Sequence, residues 1–314
     1  MTREDQARED PDREDPDRPQ DGEDQAAGGD GKGAPQEEVD DRPGEDGEAS
    51  AEDLVEGMLE GAEDVDGEKG LDEGAAEVAK KVKDEDPPGP DVPAPSVHVL
   101  REAMAWAFDG EAVEDSLLDS YAEHAHMLLD FNRKVNLTAI LDPKEVAAKH
   151  YLDSWRLTQY MSFLGRRIID LGSGGGFPGL PLALAEPNTS VCLVESSSKK
   201  AAFLQDCVTN MGIKNCSVFD GRCEDYLITE RCDMVLARAI SSVRENVRTL
   251  RKVRQSLKEY VMLKGASWSR EVRAGEREAE RLGFHLNTVF EHELPGGMGK
   301  RGILLYRAPG GHGL

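Results

Sequence analysis

Five sets of residues stand where their type and spacing could do chemistry. Ile168 to Gly179 is an apolar start, an acid at Asp170, glycines at 172, 174, 175 and 176, then Phe177-Pro178-Gly179. Glycine lets the backbone take positive φ and come close to a ligand, and Pro178 suits the first turn of a following helix. Glu195 ends the next apolar run, 25 positions after Asp170; Cys223 and Glu224 follow a third run, and Arg238 closes a fourth. An acid at about the offset of Glu195 can take hydrogen bonds from ribose hydroxyls. The backbone at Cys223 and Glu224 can offer N–H and C=O groups to a base edge. His150, upstream beside Trp155, reads either as a packed histidine or as a contact to a polar substrate. Arg238 reads either as a solvated strand end or as a charge aimed at the crevice of the glycine turn.

Two ligand classes use such a turn. A dinucleotide fingerprint places its third glycine where close helix packing needs it, and Phe177 occupies that position. Asp170-x-Gly172-x-Gly174-x-Gly176 looks instead like the loop that binds S-adenosylmethionine, a ligand without phosphate. Cys223 as a nucleophile has no base placed beside it by the sequence.

These residues need a parallel sheet to bring them together. Apolar runs at Val191–Glu195, Ser217–Asp220, Asp233–Ala237 and Tyr260–Lys264 alternate with helical stretches at Ser197–Met211, Ser242–Lys258 and Trp268–Leu282. Alternation of this kind predicts a sheet covered on both faces, with ligands beyond the carboxyl ends of its strands. Two last strands, Leu286–Glu291 and Gly302–Arg307, have only a short link through Pro295-Gly296-Gly297, which predicts an antiparallel hairpin closing the sheet. Ahead of the glycine turn, Val99–Phe108, Ser116–Phe131 and a segment from Pro143 through Trp155 read as helices of a cap. The fourth helical stretch carries Arg244, Arg248, Arg251, Lys252, Arg254 and Lys258 against one acid, Glu245. That basic face is either solvated or a surface that tracks phosphates.

Charge divides the 314 residues unevenly. Residues 1–96 hold 34 acids and 10 bases, which accounts for the entire net charge of −24. With no aromatic residue in that stretch, apolar burial could not repay the cost of ordering it. Arg-Glu-Asp recurs every five residues at its start, which is low complexity rather than a repeat fold. Residues 1–96 are therefore expected to be a disordered acidic extension with a proline-rich linker. The domain is expected at 97–314, with the cap at 97–160 and a Rossmann-like core at 161–308. No apolar run approaches a membrane span and the start is acidic, so a cytoplasmic protein is expected. Five cysteines without a C-x-x-C pair and seven histidines without ligand spacing point to neither a disulfide frame nor a metal.

Taken in order, Asn132-x-x-x-Asn136-Leu137-Thr138, Asp142-Pro143, His150-x-Leu152-Asp153-Ser154, the stretch from Ile169 to Pro181, Ala237-Arg238-Ala239 and Leu263-Lys264-Gly265 resemble the bacterial GidB/RsmG methyltransferases. The resemblance covers about Val97 to Arg307. It implies a class I S-adenosylmethionine-dependent methyltransferase, Rossmann-like, with a closing antiparallel hairpin and an N-terminal helical cap. It further implies methyl transfer to N7 of one guanine in 16S ribosomal RNA of the small subunit; a monomer without a metal is expected. By that resemblance Gly172, Phe177, Cys223, Glu224 and Arg238 fall on cofactor-contacting positions; Gly174 and Glu195 are expected there from the glycine turn and the ribose offset, and His150 and Arg238 are expected to border the guanine pocket. Residues 1–96 and Gly302 depart from the family pattern. The alternatives are a non-catalytic RNA-binding or ribosome-assembly factor and a nucleotide-dependent oxidoreductase.

Overall fold

The structure, a computed structural model, describes residues 87–311. The expectations for residues 1–86 and any structure of 312–314 lie outside the described residues. Residues 87–96 lie against the end of a cap helix. There the Gly89 N–H donates to the Asn132 carbonyl at 3.0 Å, and Arg133 pairs with Asp91 at 2.6 Å.

The cap opens with α1 (Val97–Ala107), whose first turn is capped by the Ser96 hydroxyl, and α2 (Asp115–Asn132), which starts with an acid where the helix dipole favours one. A third helical stretch starts at Pro143 behind Asp142, whose carboxylate accepts from the N–H groups of Lys144 and Glu145 at 3.0 Å. It proceeds as α3 (Pro143–Val146), a π-helical turn (Ala147–Leu152) and α4 (Asp153–Tyr160).

The sheet follows: β1 (Arg167–Leu171), β2 (Ser190–Glu195), β3 (Cys216–Asp220), β4 (Cys232–Arg238), β5 (Leu257–Lys264), β6 (His285–Glu293) and β7 (Lys300–Arg307). Its order is β3-β2-β1-β4-β5-β7-β6. The first five are parallel, β7 runs antiparallel to β5, and β6 antiparallel to β7. The expected closing hairpin is present. The central strands β1 and β2 are buried at every position after the first, as parallel strands covered on both faces must be. One covering layer is the cap with α5 (Gly179–Ala185) and α6 (Ser198–Asn210); its apolar core runs unbroken from Leu100 and Tyr121 to Leu193 and Leu236. The opposite core gathers Val247, Tyr260 and Phe284 with neighbours on α7 (Cys223–Thr229), α8 (Val243–Thr249) and α9 (Trp268–Arg281).

Two segments differ from expectation. The predicted helix Ser242–Lys258 ends at Thr249, continues as a single 3₁₀ turn over Leu250–Lys252, and gives Lys258 to β5. The six bases therefore do not share one helix: Lys258 pairs with Asp233 at 2.7 Å, and Arg254 donates to the carbonyl of Arg251. Cys223 and Glu224, read from the sequence only as backbone following the third strand, open a helix: α7 starts at Cys223 with Glu224 and Asp225 in its first turn.

Candidate active site

The chain runs from β1 through β2 to β3 on one side, then returns to β4 and β5 on the other, so the order reverses between β1 and β4. In open parallel sheets the ligand crevice lies beyond the carboxyl ends of the strands at that point. The turn after β1 and Arg238 at the end of β4 meet there, with Leu171 in register with Ala237.

The turn is braced from beneath. Gly172, Gly174 and Gly176 take φ of 63°, 54° and 99°. Asp170 is fully buried and its Oδ2 accepts from the Gly179 N–H at 2.9 Å. A Cβ at residue 179 would meet that oxygen at 2.7 Å, which is why glycine stands there. Burial pushes the Asp170 carboxyl up to about 7, against the hydrogen bonds it accepts. Glu195 is 8% exposed; its two oxygens accept from the N–H groups of Gly174 and Ser197, each at 2.9 Å. The carboxylate is thus fixed against the turn at the end of β2. A Cβ on Gly174 would have nothing nearer than 4.0 Å, so this side of the turn is open. Low backbone, open space and a fixed acid fit a nucleoside ligand without phosphate.

Phe177 has a different role from the glycines. Its buried ring stacks on His150, with centroids 4.5 Å apart and planes at 17°, and the Arg238 guanidinium lies 4.8 Å from the ring centre. Arg238 donates to the Lys149 carbonyl at 2.8 Å and to His150 Nδ1 at 2.9 Å. A guanidinium only donates, so Nδ1 accepts and the hydrogen of His150 is on Nε2, 2.9 Å from Thr138 Oγ1. Burial, and then the charge of Arg238, hold His150 well below the usual histidine range. It is neutral, with its lone pair engaged.

Local sequence explains how these groups arrive. Asn132 ends α2 and is 1% exposed; its side-chain oxygen accepts from the N–H groups of Leu137 and Thr138 and its NH₂ donates to the Thr138 carbonyl. That clamp presents the Thr138 hydroxyl to His150. His150 itself sits in the π-helical turn, a feature frequent at functional sites. Ala239, just after Arg238, has φ of 53°, which is rare for a residue with a Cβ and marks backbone held in place by its surroundings.

Arg238 and His150 line one cleft of about 510 Å³ together with Lys149, Asp153, Lys264 and Arg301. Asp153 faces His292 at 3.0 Å and Arg301 at 3.9 Å, while Lys264 pairs with Glu271 at 2.8 Å and donates to the Ser241 carbonyl. Ile240 also lines the cleft, 42% exposed, with Cδ1 3.3 Å from where a Cβ on Gly172 would stand. It links the cleft to the glycine turn. Cys223 and Glu224 lie away from this cleft. Cys223 is 2% exposed within the second core and burial pushes its thiol up, so it offers no reactive thiolate. Lys149, Asp153, Ile240 and Arg301 received no role from the sequence, although Asp153 lies inside a quoted motif.

Sheet order, closing hairpin and glycine turn are those of a class I S-adenosylmethionine-dependent methyltransferase. The family profile described as rRNA small subunit methyltransferase G, GidB, matches residues 117–295. The ribosomal RNA small subunit methyltransferase G of Solibacter usitatus (strain Ellin6076) is 36% identical over 197 residues, covering 62% of this chain and 91% of that protein. Its counterpart from Roseiflexus castenholzii is 34% identical over 202 residues, covering 63% and 85%. A solved SAM dependent methyltransferase from Aquifex aeolicus aligns with 15% identity and a TM-score of 0.41, over 53% of this chain and 93% of that one. This chain belongs to the GidB family. Among the described residues no helix is long and apolar enough to cross a membrane.

Proposed function

We infer that this chain is a cytoplasmic, monomeric enzyme that methylates N7 of a guanine in 16S ribosomal RNA, with residues 97–314 carrying the activity. Gly172, Gly174 and Glu195 would hold the methionine and ribose parts of S-adenosylmethionine, with the backbone at Cys223 and Glu224 beside its base. Phe177 acts by fixing Arg238 and His150 rather than by its own contact. When bound, the donor supplies an electrophilic methyl group on a sulfonium.

The observation that carries this reading is the state of the bases in the cleft. The lone pair of His150 is taken by Arg238, Asp153 is held by His292 and Arg301, and Glu271 pairs with Lys264. None waits to remove a proton. A substrate atom that must be deprotonated before attack would meet only acceptors already committed to cations, whereas guanine N7 already exposes a lone pair. The chain's task is then to hold the guanine in line, an effect worth on the order of 7–11 kcal/mol in the best-oriented cases. Four cations against two carboxylates also suit a cleft entered by a nucleotide with its phosphates. A target in a loop can be unstacked at less cost than one in a duplex.

The test is transfer of labelled methyl from S-adenosylmethionine to small subunits and to naked 16S ribosomal RNA, followed by strand scission specific for N7-methylguanine. A single scission site is expected. Label on an exocyclic amine, or none at all, would overturn the assignment.

A further inference from the structure

A second cavity of about 520 Å³ lies between α7 and the end of α8, outside the cleft. Arg222, Arg248, Arg251 and Lys252 line it, with Glu224 and Asp225 toward the start of α7. All four cations are exposed. Arg248 is tied to Glu278 at 2.9 Å, and Glu278 is held down to about 2 by Arg281 and Arg248. Arg222, Arg251 and Lys252 have no ion-pair partner among the described residues. Ile228, 73% exposed, supplies an apolar wall. Long cations left unpaired around a concavity with one exposed aliphatic side chain have the chemistry of a site for a nucleic-acid backbone.

Its position ties it to the reaction. The loop Ala239–Ser242 that lines the cleft passes directly into α8, whose N-cap is Ser242. From there to Lys252 the chain rises about 15 Å at helical pitch. We propose that this groove is a second RNA-binding site, in which Arg222, Arg251 and Lys252 hold backbone phosphates of the substrate strand a few nucleotides from the guanine in the cleft. The site builds on the assignment of an RNA substrate, but its binding can be read without turnover. The Coulomb attraction acts through phosphates and carries no sequence preference, so it sets affinity and register while the cleft selects the base.

The test is Arg251→Glu with Lys252→Glu in the full chain, measured for equilibrium binding to 16S ribosomal RNA over a salt series. Loss of two phosphate contacts should flatten the slope of log K against log salt by about 1.4–1.8, since each contributes about 0.7 to 0.9. Affinity at low salt should fall at least tenfold, S-adenosylmethionine binding should not change, and transfer at saturating RNA should persist with a raised KM. Arg273→Glu with Arg277→Glu, an equal charge change on exposed residues of α9, should leave the slope in place. An unchanged slope in the groove variant, or an equal loss in the α9 variant, would overturn the site. So would tighter RNA binding by the groove variant, which would mean that the acidic residues 1–86 of this chain, not RNA, occupy the groove. Wild-type protein that binds RNA with the expected slope but transfers no methyl would count against the activity and leave the groove standing.

Discussion

Arg238 donates through Nη2 to Nδ1 of His150, 2.9 Å away across 88 positions of sequence. One bond therefore fixes a tautomer, removes a base and joins the end of β4 to the cap.

His150 is neutral and its accepting nitrogen is occupied, so transfer should not depend on its titration. The rate at saturating substrates is expected to show no step attributable to a histidine between pH 6 and 8. His150→Ala should still lower transfer, on the order of 100-fold, because Arg238 and Phe177 lose their neighbour and the pocket its shape. A rate that falls tenfold per pH unit below 6.5 in wild type, and not in the variant, would make His150 a base after all.

Arg238 makes two directed bonds and covers the face of Phe177. Lysine has one ammonium where arginine has a planar fork, and cannot serve all three. Arg238→Lys is expected to reduce transfer at least tenfold while the far-ultraviolet circular dichroism stays as it is. Full activity in that variant would show that charge alone matters at this position.

Glu195→Gln swaps an acceptor for an NH₂ beside the N–H groups of Gly174 and Ser197. One of the two bonds must break, and the charge available to a ribose is lost. S-adenosylmethionine affinity, measured by calorimetry, should drop about 10- to 100-fold, in line with roughly 1.5–3 kcal/mol for a hydrogen bond to a charged group. Unchanged affinity would remove Glu195 from the site.

Burial holds His124 down to about 3 from 6.5 and His150 lower than usual as well. Below pH 6.5 the unfolded chain gains protons that the native one refuses, so stability present above that pH is lost as pH falls. His124 packs against Phe177 and shares a hydrogen bond with the Tyr151 hydroxyl at 2.7 Å, so its replacement also costs packing. His124→Phe should nevertheless flatten the fall between pH 6 and 4 by about 1.4 kcal/mol per pH unit, read from urea unfolding at each pH. An identical pH slope in both proteins would contradict the buried neutral state.

Gly302 is explained by Trp268. A Cβ at 302 would stand 2.6 Å from two indole carbons, so the glycine makes room for the ring that opens α9. Gly302→Ser should cost about 1–3 kcal/mol in thermal or chemical unfolding, as overpacking does. Combined with Trp268→Ala, most of the clash should disappear. Independent, additive effects would separate the two residues.

The sequence displays the sheet because each strand is a short apolar run bounded by turn residues, and the closing hairpin because no helical stretch separates its strands. It misleads about α8 because Leu250, Val253 and Leu257 recur every three or four residues, as on a helix face. In the fold, Leu250 is buried from a 3₁₀ turn, Val253 from the residue that caps it, and Leu257 opens β5. It hides α7 because Asp220-Gly221 announces a turn and the helix is only seven residues long. Asp170, Gly172, Glu195 and Arg238 could be placed at strand ends from order alone. The stack of Arg238, Phe177 and His150 could not, since it joins residues brought together only by packing of the cap on the sheet.

The π-helical turn over Ala147–Leu152 holds one residue more than an ordinary helix would use to travel the same path. A protein lacking a single residue there would still build both halves of the rod. Side chains of the flanking helices would keep their faces, and those within the turn, His150 among them, would be re-aimed. His150 and Asp153 would no longer be offered from one wall. Loss of a single codon here would thus be enough to dismantle the pocket while leaving its scaffold standing.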